Sequence, residues 1–137
     1  MKIVITNVIV QNGGDAAIML GMIEALKLIW NDCSISVFTE SPEFCHKYYP
    51  HLQTGKTYGQ LAVTTKLSGI RFFGRRYLYL RRKWYLICSW LFSKGVPAFL
   101  LLLDHQAKEA LKEYRSADII ISCGGTYLVE SYGIHAQ

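Results

Sequence analysis

Two glycine turns hold the residues best able to bind a ligand: Asn12-Gly13-Gly14-Asp15, and Ser122-Cys123-Gly124-Gly125-Thr126. A glycine turn that opens a helix usually accepts phosphate, because free backbone amides and the helix dipole favour an anion there. The first turn lacks both G-x-G-x-x-G and a P-loop lysine, and Asp15 stands where the anion would sit. A carboxylate there is expected to cap the amides and repel a second negative charge, so this turn suits hydroxyl groups or a purely structural cap. The second turn has no acid directly after it. Its amides stay available to an anion, Thr126 adds a hydroxyl, and Tyr127 adds a flat face with a phenol. Asp15 is the one catalytic candidate, as a carboxylate contact to a hydroxyl. A general-base role is less favoured, since a helix amino terminus stabilises the ionised form.

The elements that must position these turns are those of an α/β fold. Lys2-Ile3-Val4-Ile5-Thr6 and Asp118-Ile119-Ile120-Ile121-Ser122 read as buried strands feeding the turns. Between Asp15 and Trp30, the spacing of Met19, Met22, Ile23, Leu26 and Ile29 predicts an amphipathic helix, and Ser34 to Thr39 alternates as a strand. Ser41-Pro42 opens a short helix running to about Tyr48. A strand is expected over Leu61–Thr65, a bent helix over about Lys66–Phe92, and a further helix over about Ala98–Tyr114 after the break at Gly95-Val96-Pro97. The expected architecture is one Rossmann-like domain over residues 1–137, with a mostly parallel sheet flanked by helices. Ligands of such sheets bind beyond the carboxyl ends of the strands, where strand order reverses, so both turns could line one site.

These residues resemble a family. Lys2-Ile-Val-Ile-Thr-Asn7 followed by Asn12-Gly-Gly-Asp-Ala-Ala17, and later Ala117-Asp-Ile-Ile-Ile-Ser-Cys-Gly-Gly125, is similar to the amino-terminal half of polysaccharide pyruvyl transferases. The first turn matches through Asn12, Gly14 and Asp15, and the second through Asp118, Gly124 and Gly125. The resemblance implies half of a two-domain, glycosyltransferase-B-like enzyme that transfers a pyruvyl group from phosphoenolpyruvate to a sugar of a cell-surface polysaccharide. In that family the interdomain cleft is the active site, and the basic residues that hold phosphoenolpyruvate lie mainly in the carboxyl-terminal domain. The present chain covers about the first half of that architecture, so it is expected to be an acceptor-side fragment, inactive alone. The implied acceptor-side residues are Asn7, Asn12, Gly13, Gly14 and Asp15, with Gly124, Gly125, Thr126 and Tyr127 on the other wall. The acceptors of such pathways include lipid-linked sugars. No cofactor and no metal is implied.

Charge is segregated along the chain. The formal net charge is +5, yet no Asp or Glu occurs between Glu43 and Asp104. The interval from Lys66 to Phe92 interleaves arginines with Phe, Tyr and Trp, and Arg71, Arg75 and Arg82 can share a helical face, with Arg76 and Lys83 on an adjacent one. Three readings stand: a solvated face over core aromatics, docking on an anionic membrane surface, and single-stranded nucleic acid, the last disfavoured by the lack of an RNP-like or helix-turn-helix pattern. A non-catalytic Rossmann-like binding or membrane-docking module is the alternative to the enzyme.

Other bulk properties narrow the class. Half the residues are apolar (51%) and 18% charged, which excludes wholesale disorder. Four cysteines without a C-x-x-C pair, and no leader-like opening, point to reduced thiols and a cytoplasmic protein, peripheral at most to the inner face of the membrane. The four histidines lack ligand spacing. Trp84–Leu103 is long enough to span a bilayer, but Lys94, Gly95 and Pro97 at its middle favour two helices meeting at a turn.

Overall fold

The computed structural model describes residues 1–63 and 74–123, with the backbone alone at positions 74 and 75. The chain divides into two compact units, Met1–Gly55 with the segment from Ala117 onward, and Lys56–Ser116.

The first unit is an α/β sheet layer. Strand β1 (Lys2–Val8), helix α1 (Gly13–Ile29), strand β2 (Ser34–Thr39), helix α2 (Pro42–Tyr48), strand β3 (Gln53–Lys56) and strand β4 (Ile119–Ser122) give an all-parallel sheet of order β3-β2-β1-β4. The fold is Rossmann-like, as the β-branched runs imply. β1 is central because Ile3, Val4 and Ile5 are consecutive apolar residues that are all fully buried, the pattern of a strand covered on both faces. From α1, Met19, Ile23 and Leu26 pack into the same core with Ile3, Ile5 and Val37. Each such side chain contributes roughly 1.5–3 kcal/mol on burial. Ile29, expected on that stripe, is mostly exposed.

At its entry β4 is clasped to β1: the Lys2 amide donates to Asp118 Oδ2 (2.7 Å) and the Asp118 amide to the Lys2 carbonyl (2.8 Å). Asp118, one of the residues that carries the family resemblance, thus works as a strand clasp at the amino edge of the sheet.

The expected strand at Leu61–Thr65 is corrected. Leu61–Val63 closes helix α3 (Tyr58–Val63), residues 64 and 65 lie outside the described residues, and the strand of this region is β3. Gln53-Thr-Gly-Lys56 has little strand propensity of its own. It forms beside β2, where Gly55 lies so close beneath the Phe38 ring that a Cβ would come within 2.8 Å of it. An aromatic ring covering a neighbouring glycine is a recognised way to fix a strand.

The second unit holds α3, helix α4 (Gly74–Ser93), a single 3₁₀ turn (Ala98–Leu100) and helix α5 (His105–Ser116). The helix expected over Ala98–Tyr114 is therefore two elements. Leu101 and Leu103 are buried while Leu102 is exposed, and the Leu103 amide donates to the Leu101 carbonyl (2.8 Å), so this run is a bent connector between the two. Asp104 then starts α5 as its N-cap, Oδ1 accepting from the Ala107 amide at 2.8 Å.

α4 ends in a glycine stop. The Val96 amide donates to the Leu91 carbonyl (3.1 Å) and the Gly95 amide to the Phe92 carbonyl (3.0 Å), with Gly95 at φ +96°. This is the paired closure of a Schellman motif, which a residue with a Cβ would strain. It divides the Trp84–Leu103 run, and among the described residues no helix is long and apolar enough to cross a membrane.

A polar network ties α3, α4 and α5. Tyr85 Oη donates to Asp104 Oδ2 (2.7 Å), Arg81 Nη2 donates to Tyr85 Oη (3.1 Å) and to the Leu61 carbonyl (2.9 Å), and Tyr58 Oη donates to the Tyr85 carbonyl (2.8 Å). Burial, reinforced by the hydrogen bond to Asp104, pushes the Tyr85 phenol up to about 12, and burial raises Tyr58 as well. An unfolded tyrosine titrates near 10. Tyr85 therefore contributes stability that is fully present below pH 10 and is lost as pH climbs toward 12, at up to about 1.4 kcal/mol per pH unit. Urea denaturation across this range should show falling stability above pH 10, with a shallower fall in Tyr85→Phe; equal slopes would show that the phenol is not held protonated by the fold.

Candidate functional site

At the carboxyl edge of the sheet the chain leaves β1 and β4 side by side. β1 pairs with β2 on one side and with β4 on the other, and Thr6 stands opposite Ser122. Chain connection runs from β1 outward to β2, whereas β4 returns on the far side of β1. Strand order reverses between β1 and β4, the position at which open α/β sheets bind ligands.

Three local devices shape this edge. The first is a bulge: the β1–β2 register passes from Thr6↔Phe38 to Val8↔Thr39, leaving Asn7 without a counterpart. Asn7 has φ +63°, the one non-glycine positive φ among the described residues, and asparagine tolerates that region better than most side chains. Its Nδ2 donates to Ser122 Oγ at 3.0 Å, so the bulge turns the Asn7 side chain toward β4.

The second device fixes the loop after β1. The buried Thr39 hydroxyl donates to the Val8 carbonyl (2.8 Å), and Gln11 Nε2 donates to Ser41 Oγ (3.2 Å). Ser41 is the N-cap of α2, and its hydroxyl makes no cap bond there.

The third is the start of α1. The helix opens at Gly13, and Asn12 is its N-cap, with Oδ1 accepting from the Gly14 amide at 3.0 Å. The expectation that Asp15 caps these amides is thereby corrected: the preceding asparagine reaches them first. Asp15 is the third helical residue. It is 7% exposed, and its Oδ2 is buried with no hydrogen-bond partner among the described residues.

Across the edge, the Cys123 amide donates to the Thr6 carbonyl (2.9 Å), continuing the β1–β4 ladder past Ser122. Burial, and secondarily the negative charge of Asp15, push the Cys123 thiol above its usual range, which keeps it protonated and weakly nucleophilic at neutral pH.

The structure therefore brings Asn7, Asn12, Gly13, Gly14 and Asp15 to the β1 side of the edge. Gly124, Gly125, Thr126 and Tyr127 lie outside the described residues, as does Arg71; for Arg75 only the backbone is described. Arg76, Arg82 and Lys83 are exposed on α4, in the other unit. Sequence reading placed Ser122 in the second turn without giving it a role, and missed Thr39 as a site-shaping group. Their signal was positional: each is the last residue of a strand beside β1. Among the described residues no group of three His, Cys, Asp or Glu side chains could hold a metal ion.

Chemically, the edge holds a buried carboxylate oxygen without a hydrogen-bond partner among the described residues and an asparagine amide anchored to a serine. This set accepts and orients hydroxyl groups. The carboxylate repels a phosphate. No protein-family model matches the chain, and no curated protein or solved structure matches it.

Proposed function

We propose that the carboxyl edge of β1 and β4 binds a sugar acceptor, and that the chain is the acceptor-side half of a polysaccharide pyruvyl transferase-like enzyme. The observation that carries this reading is the buried Oδ2 of Asp15 at the strand-order reversal, unpartnered among the described residues. A buried carboxylate oxygen without a donor costs free energy that a ligand hydroxyl would recover.

In the reaction implied by the resemblance, two acceptor hydroxyl oxygens bond to C2 of the enolpyruvyl unit, its methylene takes up a proton to become a methyl group, and inorganic phosphate leaves. Asp15 would accept a hydrogen bond from one reacting hydroxyl and hold its oxygen in position. Asn7, locked by Ser122, would set a second hydroxyl. The donor phosphate would sit away from Asp15, toward the Gly124-Gly125 turn and the complementary half of the enzyme.

The test is a titration of the ¹⁵N-labelled chain with methyl hexopyranosides and, separately, with phosphoenolpyruvate. Sugars should shift the amides of Asn7, Gly13, Gly14, Asp15 and Ser122, while phosphoenolpyruvate leaves the Asn12–Asp15 amides unmoved. Sugar-induced shifts confined to other elements, or a phosphoenolpyruvate response centred on Asp15, would overturn the assignment.

A further inference from the structure

Helix α4 buries a single stripe. Tyr85, Cys88 and Phe92 are buried and Arg81 half-buried, at spacing i, i+4, i+7 and i+11. At 3.6 residues per turn, the opposite stripe consists of Arg76, Tyr79, Lys83, Ile87 and Trp90, continued past the helix by Lys94. All of these are exposed, Trp90 at 59% and the adjoining Leu86 at 67%. Arg82, grouped with Arg71 and Arg75 in the sequence, lies on the flank of the helix about a quarter turn from both stripes. It is thus Arg76 and Lys83, the adjacent pair, that face directly outward.

This face combines large apolar side chains with cations and no acids. α4 contains no Asp or Glu, nor does the sequence anywhere between Glu43 and Asp104. Lys83 Nζ lies 4.6 Å from the centre of the Tyr79 ring, so its cation runs along the aromatic surface. Beside α4, Trp84 Nε1 donates to the Leu102 carbonyl (3.1 Å), and Leu102 itself is 82% exposed. That hydrogen bond fastens an apolar connector along the helix.

We infer that the outward face of α4 docks flat on an anionic bilayer surface, with Arg76, Lys83 and Lys94 at the lipid phosphates and Tyr79, Ile87 and Trp90 in the headgroup region. An exposed apolar face of this kind marks an interaction site, and interfacial helices pair Trp and Tyr with basic residues. Charge decides between occupants. A second copy packed through the same face would bring the same cations together with no acid to neutralise them, whereas an anionic bilayer supplies negative charge and apolar depth at once. This inference rests on α4 and is independent of the sugar reading.

The experiment is co-sedimentation of the full chain with vesicles of phosphatidylcholine alone and of phosphatidylcholine mixed with phosphatidylglycerol. Binding is expected to the mixed vesicles only, weakening as salt is raised. The triple variant Arg76→Gln, Lys83→Gln, Lys94→Gln should lower partitioning on the order of a hundredfold with an unchanged circular dichroism spectrum. Brominated phosphatidylglycerol should quench tryptophan emission, and Trp90→Phe should remove most of that quenching; this arm and the salt series hold even if the triple variant fails to fold. Equal binding to neutral vesicles, no binding, quenching unaffected by Trp90→Phe, dimerisation that shields Trp90, or tighter binding to a single-stranded oligonucleotide would each overturn the proposal.

Discussion

Replacing Asp104 with alanine will lower the stability of the Lys56–Ser116 unit by about 2–3 kcal/mol, read by urea denaturation at neutral pH. The effect is large because one carboxylate does two separable jobs. Oδ1 caps α5 through the Ala107 amide, and loss of an N-cap costs about 0.5–2 kcal/mol. Oδ2 accepts the proton of Tyr85 Oη, and Tyr85 is buried, so its hydroxyl loses its acceptor at a further cost of about 1–2 kcal/mol. The ion pair to Arg81, at 3.5 Å with the Asp104 side chain 45% exposed, adds little by comparison. Asp104→Asn separates these terms. With its one carbonyl oxygen at the Ala107 amide it keeps the cap, while the NH2 that replaces Oδ2 cannot accept from Tyr85, so it should cost about 1–2 kcal/mol, the network term alone. A similar loss in both variants would mean that the cap to Ala107 contributes little.

Asp15→Asn should reduce sugar affinity about ten- to a hundredfold, the value of one hydrogen bond to a charged acceptor. Stability should change little. The substitution gives up a charge–dipole attraction of about 0.3–1 kcal/mol at the start of α1 and relieves the cost of a carboxylate oxygen buried without a partner among the described residues. Opposing effects on stability set against a one-sided loss of binding are what distinguish a ligand contact from a structural aspartate. The measurement pairs the sugar titration with thermal unfolding of both proteins. Unchanged affinity in the variant would remove Asp15 from the site, and a large loss of stability would return it to a structural role.

Where local sequence and tertiary demand agreed, the elements could be read directly. β2 over Ser34–Thr39 and α2 over Pro42–Tyr48 match their expected bounds, the first from its alternation, the second because a proline at N1 fixes the helix start. Where an element depends on its neighbour, the sequence was silent. Gln53–Lys56 becomes a strand through the edge of β2 and the ring of Phe38, neither of which is local to it. The break at Leu101–Leu103 was hidden because a short leucine run satisfies helical and extended periods equally.

The candidate site shows the same division. The glycine turn and its position after β1 were legible. The division of labour between Asn12 and Asp15 was not, since either can cap a helix and only the folded geometry decides which reaches the amides. In the basic helix, periodicity placed Arg76 and Lys83 on a common face, yet which face looks outward was fixed by the buried stripe through Tyr85, Cys88 and Phe92.

Along the same length of sheet, β1 contains one residue more than β2, and that surplus is Asn7. Strand residues alternate between faces, so a single added residue reverses the parity of everything after it. Val8 faces as it does because of this odd count. The edge thus has a length constraint as well as a composition: a substitution at Asn7 alters the contact to Ser122 and the left-handed backbone there, but an insertion or deletion between Thr6 and Val8 would re-phase the end of the strand itself.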